Sequence, residues 1–518
     1  PTKIERNPGH PSSRGTTDAQ TQASILDLYD PDRATTIKRT GSVASWNGLI
    51  AELRGILDTL RPQGGAGVRI LSETVTSPTL AAQLESFLEA NPKARWHQYD
   101  AAGGHSVREG ARMAFGEYVD TLYHFDRADV VVSLDSDFVM EGPGHVRHAN
   151  DLARRRDLGE LDEHGDGHGN KPLNRIYAFE SSPTNTGCTA DHRFSLRPSQ
   201  IEAVARAMAD ALGVNGGATD AALDETQTGW VNAVVADLKA NKGKGIIIAG
   251  NHQPPIVHAL AHSMNHVLDN VGKTVEHIES VEVRPLDQIA SLGELVHDMD
   301  AGKVELLLIL GGNPVYDAPA DFHFSDVLNA LDEQGSPKVK VRAHLSRYEN
   351  ETSEFCHWQI PELHYLETWS DARAHDGTVS LVQPLIAPLN VGGKSVHELL
   401  SALTEDTGRS SHEIVQGFWK QVRGEAGFDT FWRISLSEGI VAESASATKK
   451  VRARMTYGGG EAPAEASGLE VVIKPDPSIG DGTHSNNAWL QELPKPMTTI
   501  AWDNAVHIGF STAQRLGL

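Results

Sequence analysis

The chain has 518 residues, of which 39% are hydrophobic and 22% are charged, and its formal net charge at pH 7 is -23. This length exceeds what one hydrophobic core supports, so several domains are expected, and the composition is that of a globular protein. The acidic balance excludes a nucleic-acid-binding surface, and the two cysteines exclude a disulfide framework.

The first 45 residues are polar and rich in Pro, Gly, Asp and Thr. They contain one short apolar patch, Ile25 to Tyr29, so we expect residues 1–45 to wrap over another domain rather than form a core of their own. Because the chain begins at Pro1, without Met or a signal peptide, we expect it to be a piece of a longer precursor. No apolar run approaches the roughly 20 residues that span a bilayer, so no direct membrane span is predicted.

Two sets of alternating strands and helices follow, and this rhythm predicts an α/β protein with two parallel sheets and crossover helices. The first set ends with a strand from Arg175 to Phe179, and the second begins near Pro198. After an irregular stretch from Glu362 to Leu389, we expect the chain to return to the first sheet. The predicted domains are therefore an N-terminal wrap at 1–45, a first domain at 46–196 plus 366–440, a second domain at 197–365, and a linker with the start of a C-terminal domain at 441–518.

The stretch from Leu306 to Leu310 is the clearest buried strand of the chain. Its five apolar residues are followed by Gly311-Gly312 and Asn313-Pro314, which predicts a strand buried on both faces that ends in a sharp turn. In an open α/β sheet such a loop faces the ligand crevice at the carboxyl edge. The glycines allow close approach of the backbone to a ligand, and Asn313 before proline is disfavoured in a helix. A plain strand-to-loop turn is the alternative interpretation.

Residues of the metal-ligating and nucleophilic types occur in patterns that favour structural roles. A His- and Asp-containing stretch at 159–170 is interrupted by glycines, which favours a surface loop over a metal site. Cys188 has His192 nearby and Cys356 precedes another His, but nothing beside either thiol indicates ionisation. We therefore predict no catalytic residue and no metal site, including at three histidines that share one helix face within apolar flanks, His258, His262 and His266.

Three stretches together resemble the molybdopterin oxidoreductase superfamily, which includes formate dehydrogenases and nitrate reductases. Residues 1–11 resemble the turn before the last cysteine of that family's iron–sulfur motif, and Gly311 to Pro314 resemble its pterin-nucleotide loop. The strand from Arg175, continuing to Arg197-Pro198-Ser199, stands where the family carries Asp-Pro-Arg and Arg-Pro-Gly. The resemblance implies two Rossmann-like parallel-sheet domains of the formate dehydrogenase/DMSO reductase type, with an N-terminal wrap and the start of a C-terminal domain.

Five further stretches carry a narrower resemblance: Tyr29 to Arg33, Phe125 to Asp129, Leu134 to Phe138, Cys356 to Glu362 and Trp489 to Pro494. They are similar to the molybdopterin-like half of the iron–sulfur (B) subunit of bacterial alternative complex III, a membrane quinol:electron-acceptor oxidoreductase. This implies a domain without molybdenum, present here as a fragment, with the iron–sulfur clusters in another half of the subunit. The implied partners are that half and the haem and integral membrane subunits, at the periplasmic face of the cytoplasmic membrane.

The chain departs from the superfamily's pattern where cofactor ligands are expected. Asp18 stands in place of the cluster cysteine, and the stretch from Gly103 to Arg108, where a molybdenum ligand is expected, offers only Ser106. Glu180-Ser181-Ser182 replaces the nucleotide-reading Asp-Pro-Arg. We therefore expect no molybdopterin guanine dinucleotide in this chain. The residues predicted to line any vestigial crevice are Gly311, Gly312, Asn313, Glu180, Ser181 and Ser106.

The favoured hypothesis is a cofactor-less structural domain within a respiratory oxidoreductase that oxidises quinol. One alternative is an active molybdopterin-dependent subunit with Ser106 as an oxygen ligand to the metal. Another is an unrelated α/β protein that binds a nucleotide or a sugar in the crevice. Metal analysis separates the first two, and a nucleotide bound without a pterin would favour the third.

Overall fold

The computed structural model describes residues 2–5, 7–157, 173–217, 223–404, 408–458 and 468–518. Short 3-10 turns lie at Arg61–Gln63 and Ala320–Phe322. The helices are α1 (Ala19–Leu28), α2 (Trp46–Leu60), α3 (Pro78–Ala90), α4 (His105–Phe115), α5 (His145–Arg156), α6 (Asn185–Thr189), α7 (Pro198–Ala211), α8 (Glu225–Ala240), α9 (Pro255–Val267), α10 (Gln288–Asp300), α11 (Pro314–Asp317), α12 (Phe324–Leu328), α13 (Glu351–Glu354), α14 (Val396–Thr404), α15 (Ser411–Arg423), α16 (Phe428–Glu438), α17 (Ala488–Glu492) and α18 (Phe510–Leu516). The strands are β1 (Lys38–Arg39), β2 (Ser42–Val43), β3 (Val68–Ser72), β4 (Arg95–Gln98), β5 (Val119–Tyr123), β6 (Val130–Leu134), β7 (Arg175–Glu180), β8 (His192–Ser195), β9 (Gly245–Ala249), β10 (Val275–Glu279), β11 (Leu306–Leu310), β12 (Val341–Ser346), β13 (Trp358–Pro361), β14 (Ser370–Arg373) and β15 (Val379–Val382).

The first sheet has the strand order β2-β1-β13-β12-β11-β3-β4. Its strands from β13 to β4 are parallel, and β1 and β2 add an antiparallel edge. Because side chains alternate along a strand, Leu306 and Leu308 pack on one face with α2, whereas Leu307 and Ile309 pack on the other face with α10. Coverage on both faces explains why β11 is apolar throughout.

The second sheet has the order β8-β7-β6-β9 and is parallel throughout. Alternate residues of β6 again serve two layers: Val130 and Val132 pack with α7, α8 and α9, and Val131 packs with Phe125 and Phe138. The antiparallel pair β5 and β10 flanks the stretch of chain that forms this sheet. The second sheet is therefore inserted between β4 and β11 of the first.

The assignment of strands to the two sheets that was predicted from the sequence is wrong. Strands β6 and β7, assigned to the first domain, belong to the second sheet, whereas β11 and β12, assigned to the second domain, lie in the first sheet beside β3. The insertion begins and ends earlier in the chain than predicted. The physical reason is that a strand buried on both faces has no polar face to distinguish one sheet from the other, so its pattern specifies burial and not its partner.

The N-terminal segment pairs with the first sheet, whereas the segment after β13 packs on it through α3. The predicted return of residues 366–440 to the first sheet is therefore wrong, because β14 and β15 form a two-stranded sheet of their own. In the N-terminal segment, β1 pairs with β13, and Arg33 forms a buried ion pair at 2.6 Å with Glu367. Beyond Glu367, the segment with β14, β15 and α14–α16 packs on α3, where Asp371 accepts hydrogen bonds from Ser77 and Thr79. Within the part of the chain that the structure describes, no helix is long and apolar enough to cross a membrane.

Candidate functional site

The crevice at the carboxyl edge of the first sheet lies between β3 and β11. From β3 the chain continues to β4 on one side, and from β11 it continues to β12 on the other, so the two loops diverge. Open α/β sheets bind ligands at such a switch point. Gly311 and Gly312 leave β11 with φ values of +81° and +70°, and a Cβ on Gly311 would lie 3.0 Å from Glu73 Oε2. The positive φ values favour glycine at both positions, and a side chain on residue 311 would have to displace the carboxylate of Glu73.

This crevice is almost filled by protein. Its free volume is about 10 Å³, which is close to the space of one water molecule. Tyr99 closes one side, and its hydroxyl donates a 2.8 Å hydrogen bond to the carbonyl of Asp317. The lining residues are Leu71, Ser72, Glu73, Tyr99, Asp100, Ala101, Gly311, Gly312, Asn313, Pro314 and Asp317.

Three carboxylates meet at this crevice and repel each other. The side chain of Glu73 remains accessible at the crevice mouth, but loss of bulk water, and then the charges of Asp100 and Glu362, raise its pKa to about 7. Burial, and then the charges of Asp481 and Asp100, raise the pKa of Asp317 to about 7. Oδ1 of Asp317 is buried without a hydrogen-bond partner among the described residues. The site is therefore a narrow acidic crevice with Glu73 at its mouth.

Asn313 connects two loops instead of presenting its amide to the crevice. Its Oδ1 accepts hydrogen bonds from the amide and hydroxyl of Thr352, at 3.1 and 2.8 Å. Its Nδ2 donates to Oε2 of Glu351 at 2.7 Å. Both partners belong to α13, so Asn313 fixes the loop after β11 to the loop after β12.

The second sheet has its own switch point, between β6 and β9, and a buried Asp lies there. Asp135 directly follows β6 with φ +55°, a strained conformation for a residue other than glycine. Its carboxylate accepts hydrogen bonds from the Ser181 hydroxyl at 2.7 Å, His252 Nε2 at 3.0 Å and Gln253 Nε2 at 3.1 Å. Burial by itself raises the pKa of Asp135, but the bond from His252 and the charge of Lys474 outweigh this and lower it. The sequence analysis did not predict this cluster. The available signals were Asp135, directly after the buried strand β6, and Gly250, directly after the buried strand β9.

The structure brings only some of the predicted site residues together. Gly311, Gly312 and Asn313 share the first crevice, and Ser181 binds Asp135 at the edge of the second sheet. Glu180 was predicted to line the same crevice, but it is 1% exposed and engaged by Arg193 and Thr184 within the packing of the second sheet. Ser106 lies in the first turn of α4 and is not among the crevice-lining residues.

The candidate metal ligands Asp18, His258 and His262 are held in a helix cap or in packing. Asp18 caps α1 and lies 3.3 Å from the imidazole of His145. His258 is packed against Gly110, and His262 against Phe115; burial lowers the pKa of both histidines. No group of three or more His, Cys, Asp or Glu side chains could hold a metal ion among the described residues. The stretch 159–170 lies within residues 158–172, which the structure does not describe, so its histidines lie outside the described residues.

The two cysteines differ in environment. Cys356 is buried beside the first sheet, and this burial raises the pKa of its thiol to about 12. A thiol with that pKa remains protonated at neutral pH and is a weak nucleophile. Cys188 is exposed in α6, with its Sγ 3.7 Å from the sulfur of Met497. Neither thiol lies in the crevice.

Comparison with known proteins gives a structural match without a sequence match. No protein-family model matches the chain, and no curated protein matches it in sequence. Among solved structures, the chain is similar to acetylene hydratase from Pelobacter acetylenicus, with a TM-score of 0.58 and 12% sequence identity, over 85% of this chain and 70% of that one. At that identity the likeness shows the fold alone. The chain therefore has the α/β fold of the molybdopterin oxidoreductases, of the DMSO reductase type.

Proposed function

We propose that this chain is a structural domain of a respiratory oxidoreductase complex, with the molybdopterin oxidoreductase fold but without the pterin cofactor. One observation carries the proposal: the crevice that would receive a ligand is filled by protein and lined with carboxylates. Its free volume is about 10 Å³, and Glu73, Asp100 and Asp317 converge on it. With its crevice closed, a fold of this size contributes to the complex through the surfaces that it presents to neighbouring subunits and not through ligand binding.

The residues present do not fit the cofactor that the fold implies. Molybdopterin guanine dinucleotide carries phosphate groups, and sites for ligands of that size have volumes of about 300–1,000 Å³. Phosphates are bound by arginine, lysine or clustered N–H donors. The described residues that line the crevice include no Lys or Arg, and their carboxylates would repel a phosphate. Ser106, the one candidate oxygen ligand for the metal, lies outside the lining.

Metal and pterin analysis tests this part of the proposal. The chain is produced in a bacterium that makes the cofactor, and the purified protein is analysed for molybdenum, tungsten, iron and the fluorescent oxidation product of the pterin. We expect none of them in stoichiometric amount. Stoichiometric molybdenum that disappears in Ser106→Ala would establish the active-enzyme alternative and refute the structural one.

The partners follow from the narrower resemblance and belong to the same proposal. They are the iron–sulfur half of the subunit and the haem and integral membrane subunits of alternative complex III, at the periplasmic face of the cytoplasmic membrane. Support comes from the stretches Tyr29 to Arg33 and Trp489 to Pro494, which resemble that subunit and lie near the two ends of the chain.

Assembly in the parent bacterium tests the partners. Deletion of this region should abolish assembly of the complex, whereas Glu73→Gln and Ser106→Ala should leave quinol oxidation nearly unchanged. If either point variant stops turnover in a fully assembled complex, the crevice takes part in the chemistry and the structural role is refuted.

A further inference from the structure

Residues 448–457, named here the basic segment, alternate between covered and exposed side chains. Ala453 and Tyr457 are buried, and Val451 and Met455 are half-buried. The side chains between them are exposed, and three of these are basic: Lys450, Arg452 and Arg454. Because side chains of an extended chain point alternately to opposite sides, the three cations form one row that faces solvent.

The backbone of the basic segment is fixed at both ends to the elements around the second sheet. At one end, the amide of Lys449 donates to the carbonyl of His277 in β10 at 2.6 Å. At the other end, Asn215 donates its amide to the carbonyl of Met455 and accepts from the amide of Tyr457, each at 2.9 Å. The row of cations is therefore held in place before any partner arrives, which lowers the entropic cost of binding.

The three cations have no partner within the described parts of the chain. None of them forms an ion pair or a side-chain hydrogen bond with a described residue, whereas Lys449 beside them lies 2.8 Å from Glu117 and 3.8 Å from Glu279. Acidic side chains outnumber basic ones in the whole chain by 69 to 46. A row of three unpaired cations therefore differs in charge from the rest of this acidic protein.

We propose that the basic segment docks an extended, acidic segment of a partner protein that carries carboxylates at alternate residues. Alternate side chains of an extended chain are about 7 Å apart, so the carboxylates of such a segment have the same spacing as the row. Each carboxylate then meets one cation, and an arginine can bind it through two parallel N–H donors. The proposal does not depend on whether the chain belongs to a respiratory complex.

The number of cations and the charge of the chain favour a peptide over other polyanions. Lipid headgroups are recognised by clusters of about 4–8 basic residues, and the row has fewer. A nucleic acid spreads its phosphates over a wide area, where the net charge of -23 repels it. An extended acidic segment, by contrast, needs to contact the row alone.

Fluorescence anisotropy of a labelled synthetic peptide, with the whole chain as the binding protein, tests the proposal. One peptide carries three glutamates at alternate positions, and a second has the same composition with the three glutamates adjacent. At low salt we expect the alternating peptide to bind about threefold more tightly than the adjacent one. Its affinity should fall as salt is added, because ions screen exposed charges.

Variants of the row identify where the peptide binds. The combination of Lys450→Gln, Arg452→Gln and Arg454→Gln should weaken binding of the alternating peptide about tenfold, from a factor of about two to three for each exposed pair. The single variants should each weaken it by that smaller factor. A matched control removes three exposed cations that lie elsewhere in the chain, by changing each to Gln: Lys93, Lys239 and Arg433. The control should bind the peptide as the parent does.

Equal affinities of the parent and the row variant would overturn the proposal, and so would equal weakening in the control, because net charge alone would then explain the binding. Equal binding of the two peptides would also overturn it, since the spacing of the row would not matter. Binding of phosphatidylserine vesicles through the same three residues, without binding of the peptide, would assign the row to a membrane surface and refute a peptide partner.

Discussion

The carboxyl group of Glu73 offers a direct test of the acidic crevice. Because this group is crowded by other carboxylates, its replacement by glutamine should stabilise the protein. The pKa of Glu73 is raised from 4.5 to about 7 in the folded chain. Between these values the folded state binds more protons than the unfolded state, so the free energy of unfolding falls as the pH rises. Above pH 7 the ionised carboxylate of Glu73 destabilises the folded state by the full amount, and near pH 4 the protonated group does not destabilise it.

The magnitude follows from that shift and from the position of the side chain. A shift of this size corresponds to about 3 kcal/mol for a fully enclosed group. Glu73 keeps contact with solvent at the crevice mouth, and solvent screening reduces the expected gain in Glu73→Gln to about 1 kcal/mol at pH 8.5. Near pH 4 the variant and the parent should unfold with the same free energy.

Urea unfolding followed by tryptophan fluorescence at the two pH values measures this difference. Glu89→Gln is the matched control, since Glu89 is an exposed carboxylate on the neighbouring helix α3. A stabilisation of the same size at both pH values would show that the gain is not electrostatic. A variant less stable than the parent at pH 8.5 would refute the crowded, acidic crevice altogether.

Three further variants or reactions test other parts of the structure. Gly311→Ala should cost about 1–2 kcal/mol in thermal or urea unfolding, more than Gly302→Ala, because both have positive φ but only Gly311 has an atom within 3.0 Å of the new Cβ. Glu367→Met should cost about 3–5 kcal/mol by leaving a buried guanidinium without its counter-charge. Arg33→Leu combined with Glu367→Met should recover only part of this loss, because the amides of His364 and Leu389 also lose their acceptor, and equal losses would contradict the buried ion pair. Cys356 should resist iodoacetamide at pH 8 in the folded chain and react after unfolding in urea, and rapid reaction in the folded chain would contradict its burial.

The sequence by itself determined the class of the fold and the position of one loop of the crevice. An unbroken apolar run such as Leu306 to Leu310 has to be covered on both faces, and alternation with amphipathic helices makes a parallel sheet the way to cover it. Gly311-Gly312 and Asn313-Pro314 then specify a turn at the carboxyl edge, where the structure places them. These properties are local, since they depend on hydrophobicity and backbone freedom over a few residues.

Only the tertiary structure decided which strands share a sheet and what fills the crevice. Strand β11 pairs with β3, although the whole inserted sheet lies between them in sequence. The apolar pattern of β11 does not indicate that partner. Glu180 carried the same local signal as a crevice residue but is buried in packing, because Arg193 and Thr184 engage its carboxylate. Glu73 and Asp317 are far apart in sequence, yet the fold brings both to the lining of the same crevice. Strand pairing and repulsion between carboxylates depend on residues that are distant in sequence, so a local sequence pattern cannot predict them.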